Sequence, residues 1–151
     1  MGGDVADAAA PAAIAIPGRN DVPMNGVKRL LVVDDEPGIR EIIRRAASGM
    51  GFDVRATGDA EEFKALYDAF DPTTIVLDIV MPETDGFELM KWLIERDCDA
   101  GIIVASGYNP MYAKMAATLG SDSGLTVSFL DKPFKLDALR GALRNVEPDG
   151  V

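Results

Sequence analysis

The chain has no histidine among its 151 residues and a single cysteine, Cys98. Without histidine there is no Ser-His-Asp chemistry, no histidine-bound zinc and no phosphohistidine donor, so carboxylates, hydroxyls, lysine and a bound ion must carry any chemistry. One cysteine excludes an internal disulfide and fits a reducing compartment. With no second thiol to share a metal, Cys98 reads as a half-exposed residue near a helix end. Positive charge is short as well: Lys and Arg number 15 against 25 Asp and Glu, for a net charge of −10. That balance argues against a nucleic-acid surface and suits a protein that recruits a cation or a basic partner face. No apolar run approaches the roughly 20 residues that cross a bilayer. Residues 1–16 hold no Lys or Arg to open a secretory signal, so a cytoplasmic location is expected.

What is present is ordinary globular composition, 48% hydrophobic and 26% charged, at a length suited to one domain. Residues 1–27 are rich in Ala, Gly and Pro with no sustained period and read as a flexible tail. Met24, just ahead of the first strand, is a candidate start of the native chain. From Lys28 a regular alternation begins. Strand Arg29–Val33 leads into a helix from Pro37, with Ile39, Ile42, Ile43, Ala46 and Met50 at helical spacing and Gly51 ending the run. A short strand Phe52–Ala56 follows, then a helix opened by a capping box at Asp59 and Glu62 and broken by Asp71-Pro72. Thr74–Leu77 is an apolar strand of the kind buried on both faces. Thr84-Asp85-Gly86 opens a helix with Phe87, Met90, Leu93 and Ile94 toward its buried side. Strand Ile102–Ala105, a helix from near Pro110 to Leu119, strand Thr126–Leu130 and a helix through Leu136, Leu139 and Leu143 complete the set. Gly120–Gly124 reads as a turn, since it lacks the Lys-Ser/Thr and the preceding strand of a phosphate-cradling loop.

Five strands alternating with five helices predict an α/β fold, a doubly wound parallel sheet covered on both faces. Ligands bind such sheets beyond the carboxyl ends of the strands. The polar residues fall at those ends: Asp34 and Asp35 after Leu30–Val33, Asp78 after Ile75–Leu77, Ser106 after Ile102–Ala105 and Lys132 after Val127–Asp131. Acids buried beside core strands are costly unless a cation sits among them, and three together make a pocket for a hard, oxygen-loving divalent ion. Each residue alone has a plainer reading: Asp35 as a helix cap, Asp78 as a loop acid before Met81-Pro82, Lys132 as a surface lysine, Ser106 as the start of a turn. A glycosidase-type carboxylate pair lacks nearby sugar-binding aromatics.

Four segments, in order and with a βα unit between each, resemble the receiver domain of bacterial two-component response regulators. They are Leu30-Leu31-Val32-Val33-Asp34-Asp35-Glu36, Ile75 through Gly86, Val104-Ala105-Ser106-Gly107 and Leu130-Asp131-Lys132-Pro133-Phe134. The resemblance spans residues 28–146 and leaves 147–151 as a short C-terminal tail. It implies a flavodoxin-like strand order, 2-1-3-4-5. It also implies that Asp78 is the phosphoacceptor, served by a histidine kinase or histidine phosphotransfer protein. Mg²⁺ would be held by Asp34, Asp35, Asp78 and the backbone carbonyl of Val80. Lys132, aimed inward by a cis bond to Pro133, would reach Asp78 or its phosphoryl group, and Ser106 would donate its hydroxyl to a phosphoryl oxygen. Gly107 would keep the entrance open. Ser106 and Phe129 would form the switch pair, with plain core packing of Phe129 beside Val127 as the alternative.

The expected function is that of a stand-alone response regulator, because no output domain fits after the last helix; its phosphorylated surface would act on another protein, as a monomer or a phosphorylation-dependent dimer. The alternative is a phosphorelay intermediate or phosphate sink. Beyond gain and loss of the phosphoryl group on its own Asp78 no enzyme activity is expected. A phosphohydrolase lacks a general base, since Val80 cannot position a water, and a phosphate-independent interaction domain sits poorly with five filled polar positions. No membrane partner is expected. The stretch Tyr112–Leu125 is longer than the family's usual fourth helix and exit loop, a departure at its output and dimerisation face.

Overall fold

The computed structural model describes residues 27–79, 86–107 and 110–146. The expected tails, apart from Val27, and Met24 as a start lie outside these residues, as do Val80 and Thr84-Asp85. Among the described residues are five strands, β1 Lys28–Val33, β2 Phe52–Thr57, β3 Thr74–Asp78, β4 Gly101–Ser106 and β5 Val127–Asp131. Between and after them come α1 Pro37–Gly49, α2 Ala60–Phe70, α3 Gly86–Glu95, α4 Pro110–Asp122 and α5 Leu136–Asn145. All neighbours pair in parallel, in the order β2-β1-β3-β4-β5. This is the doubly wound order 2-1-3-4-5.

Side chains alternate across a strand, so each strand feeds two cores. Leu30 and Val32 of β1, Val76, Ile103 and Leu130 meet Ile43 and Ala47 of α1 and Leu139 and Leu143 of α5. Leu31, Val33, Ile75, Leu77, Ile102 and Val104 face the other way onto Phe63 of α2, Leu89, Met90 and Leu93 of α3 and Ala113 and Ala116 of α4. With helices on both sides, β3 and β4 are buried along their whole length, which is why their sequences are near-continuous apolar runs. Val146, just past α5, packs against Gly101 at the start of β4, at the amino edge of the sheet.

Local chemistry sets the helix ends. Pro37 takes the first turn of α1, where its missing N–H costs nothing. The Asp59 carboxylate accepts from the Glu62 N–H at 3.0 Å, which is half of the predicted capping box. The reciprocal half is not made, because the Glu62 carboxylate instead accepts from the hydroxyl of buried Thr57. Asp71, in the left-handed region at φ 53°, closes α2.

Two expectations need correction. Helix α4 runs on to Asp122, so Gly120 is helical and only Ser123-Gly124 turn. A Cβ on Gly120 would lie 2.8 Å from Met90 Sδ and 2.9 Å from Val127 Cγ2; the glycine serves close approach of α4 to α3 and β5, not a bend. Cys98 is not half-exposed but buried at 4%, inside the core beneath α2, α3 and α4. The chain leaves α3 through Asp97 at φ 51°, and the Cys98 N–H returns to the Leu93 carbonyl, which folds the thiol inward.

Candidate functional site

Strand register brings the predicted residues to one edge. Val33 pairs with Leu77, so Asp34 and Asp78 follow side by side. Asp78 pairs with Ala105, placing Ser106 one step beyond, and Ser106 pairs with Asp131, the residue before Lys132. The ladder continues past the strand ends: the Ile79 N–H donates to the Ala105 carbonyl at 3.1 Å and the Lys132 N–H to the Ser106 carbonyl at 2.7 Å. Asp34 is held on three sides. Its N–H donates to the Thr57 carbonyl (3.0 Å), its carbonyl accepts from Arg40 Nη1 (2.7 Å) and its Oδ1 accepts from the Glu36 N–H (2.9 Å). Gly86 lets α3 close over the end of β3, since a Cβ there would stand 2.6 Å from both the Asp78 carbonyl oxygen and Ile79 Cα.

Carboxylate oxygens of Asp34, Asp35 and Asp78 all lie within 4.8 Å of one another, with Asp34 and Asp78 buried and Asp35 exposed. Such an oxygen-only set suits a hard divalent cation. The Lys132–Pro133 bond is cis. Lys132 Nζ lies 2.7 Å from Asp34 Oδ2, 3.1 Å from Glu36 Oε1 and 3.5 Å from Asp78 Oδ1. The ammonium therefore reaches Asp78, as expected, but sits nearest Asp34. That contact is an ion pair without hydrogen-bond geometry, since Asp34 Oδ2 has no hydrogen-bond partner among the described residues. Glu36 is a site residue that the sequence reading missed; its one signal was an acid directly after the Asp34-Asp35 pair.

Burial pushes the Asp34 carboxyl above its ordinary pKa, with Lys132 and the Glu36 N–H pulling the other way. Burial also pulls the Lys132 ammonium down, but Asp34, Asp78 and Glu36 outweigh it and leave the pKa raised. Burial thus disfavours the ionised form of Asp34, which a cation bound among these acids would favour. Ser106 Oγ is buried and has no hydrogen-bond partner among the described residues. An unmet buried hydroxyl costs about 1–3 kcal/mol, so this donor is set for something that the pocket receives.

Phe129 pairs in register with Val104, while Ser106 pairs with Asp131, so Phe129 and Ser106 lie on one face of adjacent strands, diagonally apart. Phe129 is half-buried against the core, as is Val127. A Cβ on Gly107 would rest on the Lys132 stem, 3.4 Å from its Cβ.

A family model described as the response regulator receiver domain matches residues 30–144. Response regulator MprA of Mycolicibacterium vanbaalenii is 35% identical over 125 residues, covering 80% of this chain and 52% of that protein. Among solved structures, the Vibrio cholerae chemotaxis protein CheY4 aligns at TM-score 0.70 and 25% identity, over 80% of this chain and 99% of that one. A Burkholderia pseudomallei response regulator, solved with a phosphorylated aspartic acid, a calcium ion and citrate, aligns at TM-score 0.65 and 26% identity, over 77% of this chain and 66% of that one. The chain belongs to the response regulator receiver domain family of two-component signalling. It spans about half the length of MprA.

Proposed function

We propose that Asp78 is the phosphoacceptor of this receiver, charged by a histidine kinase or a histidine phosphotransfer protein, and that the phosphorylated surface signals by binding another protein. The observation that carries this is the position of Asp78 on the central strand. Acids that follow β1 flank it on one side, and Ser106 and Lys132, from β4 and the residues after β5, flank it on the other. Asp34 is less suited to attack, because its Oδ1 is taken by the Glu36 N–H and its Oδ2 faces Lys132.

Phosphoryl transfer needs an in-line nucleophile and neutralised charge on the moving oxygens, with little other covalent work. A carboxylate oxygen of Asp78 attacks phosphorus, the phosphorus–nitrogen bond of the donor breaks and its electrons return to the imidazole. Lys132 stabilises charge on the phosphoryl oxygens as a point charge, and the Ser106 hydroxyl, which has no partner among the described residues, gains an acceptor. Asp34, Asp35 and Asp78 would hold Mg²⁺, which would supply further neutralisation of those oxygens when bound. The Burkholderia relative, solved with a phosphorylated aspartic acid and a calcium ion, supports an aspartate phosphoacceptor beside a divalent cation. Drawing Ser106 toward the phosphoryl group leaves space on its face of the sheet, into which Phe129 turns to alter the α4 side. Among the described residues no helix is long and apolar enough to cross a membrane. A cytoplasmic place of action belongs to the same reading, on the strength of the family. The protein works on its own aspartate and turns over no separate substrate.

Intact mass after incubation with acetyl phosphate and Mg²⁺, beside an Asp78→Asn control, tests the assignment. One phosphoryl adduct on the wild-type protein alone is expected. An equal adduct on Asp78→Asn, or none on folded wild-type protein even with a phosphorylated kinase, would sink it.

A further inference from the structure

We infer that Glu36 is a positioning residue that parks the Lys132 ammonium off Asp78 and so limits how fast Asp78 takes a phosphoryl group; this rests on the reading of Asp78 as phosphoacceptor. Glu36 stands at the N-cap of α1, where Asp, Asn, Ser and Thr cap well, and its side chain makes no capping hydrogen bond. Its carboxylate is engaged elsewhere. Oε1 accepts from Lys132 Nζ at 3.1 Å across 96 residues of sequence.

The backbone of Glu36 is pinned, so the carboxylate is offered from a fixed point. Its N–H donates to Asp34 Oδ1 at 2.9 Å, and its carbonyl accepts from the N–H groups of Ile39 and Arg40, each at 3.1 Å. The Lys132 side chain is 10% exposed and that of Glu36 60%, so the pair spans from the pocket to its mouth. Asp78 holds the longest of the three contacts to the ammonium, at 3.5 Å. To stabilise an incoming phosphoryl group Lys132 must give up Glu36 while keeping Asp34. A phosphoryl group bears more negative charge than a carboxylate and wins that competition, but each loading event first breaks the Glu36 pair. Partly exposed pairs of this kind shift an equilibrium by about 1.4- to 5-fold.

The test is the rate of Asp78 phosphorylation against acetyl phosphate concentration at saturating Mg²⁺, followed by intact mass, for wild type, Glu36→Gln and Glu36→Asp. Glu36→Gln removes the charge at nearly constant size. Glu36→Asp keeps the charge at the mouth but shortens the reach to Lys132 and suits the cap. Both variants are expected to raise the maximal rate by about 2- to 5-fold, with the half-saturating donor concentration unchanged. An unchanged maximal rate in Glu36→Gln overturns the inference. So does a gain confined to half-saturation and absent from Glu36→Asp, which would mean that Glu36 merely repels an anionic donor. Wild-type protein that takes no phosphoryl group is a different failure, since it removes the phosphoacceptor reading itself and the inference with it.

Discussion

Arg40 reaches back from the first turn of α1 to Asp34, and its Nη1 donates to the Asp34 carbonyl oxygen at 2.7 Å. With the Thr57 carbonyl taking the Asp34 N–H, both sides of this residue's backbone are anchored by groups outside the acidic pocket. Arg40→Ala is expected to cost about 1 kcal/mol of stability in urea unfolding, a charged hydrogen bond discounted for partial exposure. It should also weaken Mg²⁺ binding in calorimetric titration, since the Asp34 carboxylate loses its fixed base. Unaltered Mg²⁺ affinity would show that Thr57 alone suffices.

Ser106→Ala separates fold from signal. The buried Oγ has no partner among the described residues, so its removal should leave stability equal or higher by about 1 kcal/mol. The phosphorylation-dependent response should nonetheless be lost, because the hydroxyl that the phosphoryl group draws is gone. Thermal unfolding beside partner binding by the phosphorylated variant checks this. A clear loss of stability would mean that the hydroxyl is already satisfied in the resting protein.

Stability should depend on pH and Mg²⁺ together. Asp34 has a folded pKa raised above its ordinary 3.8, so between 3.8 and the folded value the native protein binds more protons than the unfolded chain. Stability contributed by this group therefore falls as pH rises through that window, and the deficit is complete once pH exceeds the folded value. Mg²⁺ should offset it at pH 7, by about 2.7 kcal/mol at a hundredfold excess over its dissociation constant. The gain should fade as pH falls and Asp34 protonates, because Mg²⁺ takes the ionised carboxylate. Asp35 is exposed, so Asp35→Asn should abolish the gain while changing metal-free stability by no more than about 0.5 kcal/mol. Melting scans with and without Mg²⁺ at several pH values are the measurement.

Cys98 should be inert in the native protein. Burial raises its thiol pKa, against opposing pulls from Tyr67 and the backbone of Ala100. Ellman's reagent at pH 8 should label it only as fast as the surrounding core opens, and at once in urea. Immediate labelling without denaturant would contradict the buried placement.

Asp34, Asp78, Ser106 and Lys132 were legible because a parallel sheet gathers strand ends by rule, and each of these residues closes or follows an apolar run. The doubly wound order came with the resemblance, and the buried β3 run agreed with it. What escaped depends on side chains meeting through space. Nothing local says that Arg40 returns to a carbonyl six residues back, or that Glu36 meets a lysine 96 residues away. Gly120 carried a turn signal, yet its reason is the sulfur of Met90 and the methyl of Val127 beside it. The capping box at Asp59 was half right because Thr57, outside the motif, competes for Glu62. Cys98 was misplaced because the left-handed Asp97 that turns it inward belongs to a residue type that adopts the conformation only sometimes.

The contact of Val146 with Gly101 fixes where the final helix hands over the chain: at the amino edge of β4, whose carboxyl edge carries Ser106. The two rims of the sheet are thus divided, one for chemistry and one for attachment. A dye, a fluorescent protein or a surface tether joined beyond Val146 starts from the rim away from the pocket. Immobilised sensors built this way can watch partners arrive at Asp78 without shading the aspartate from them.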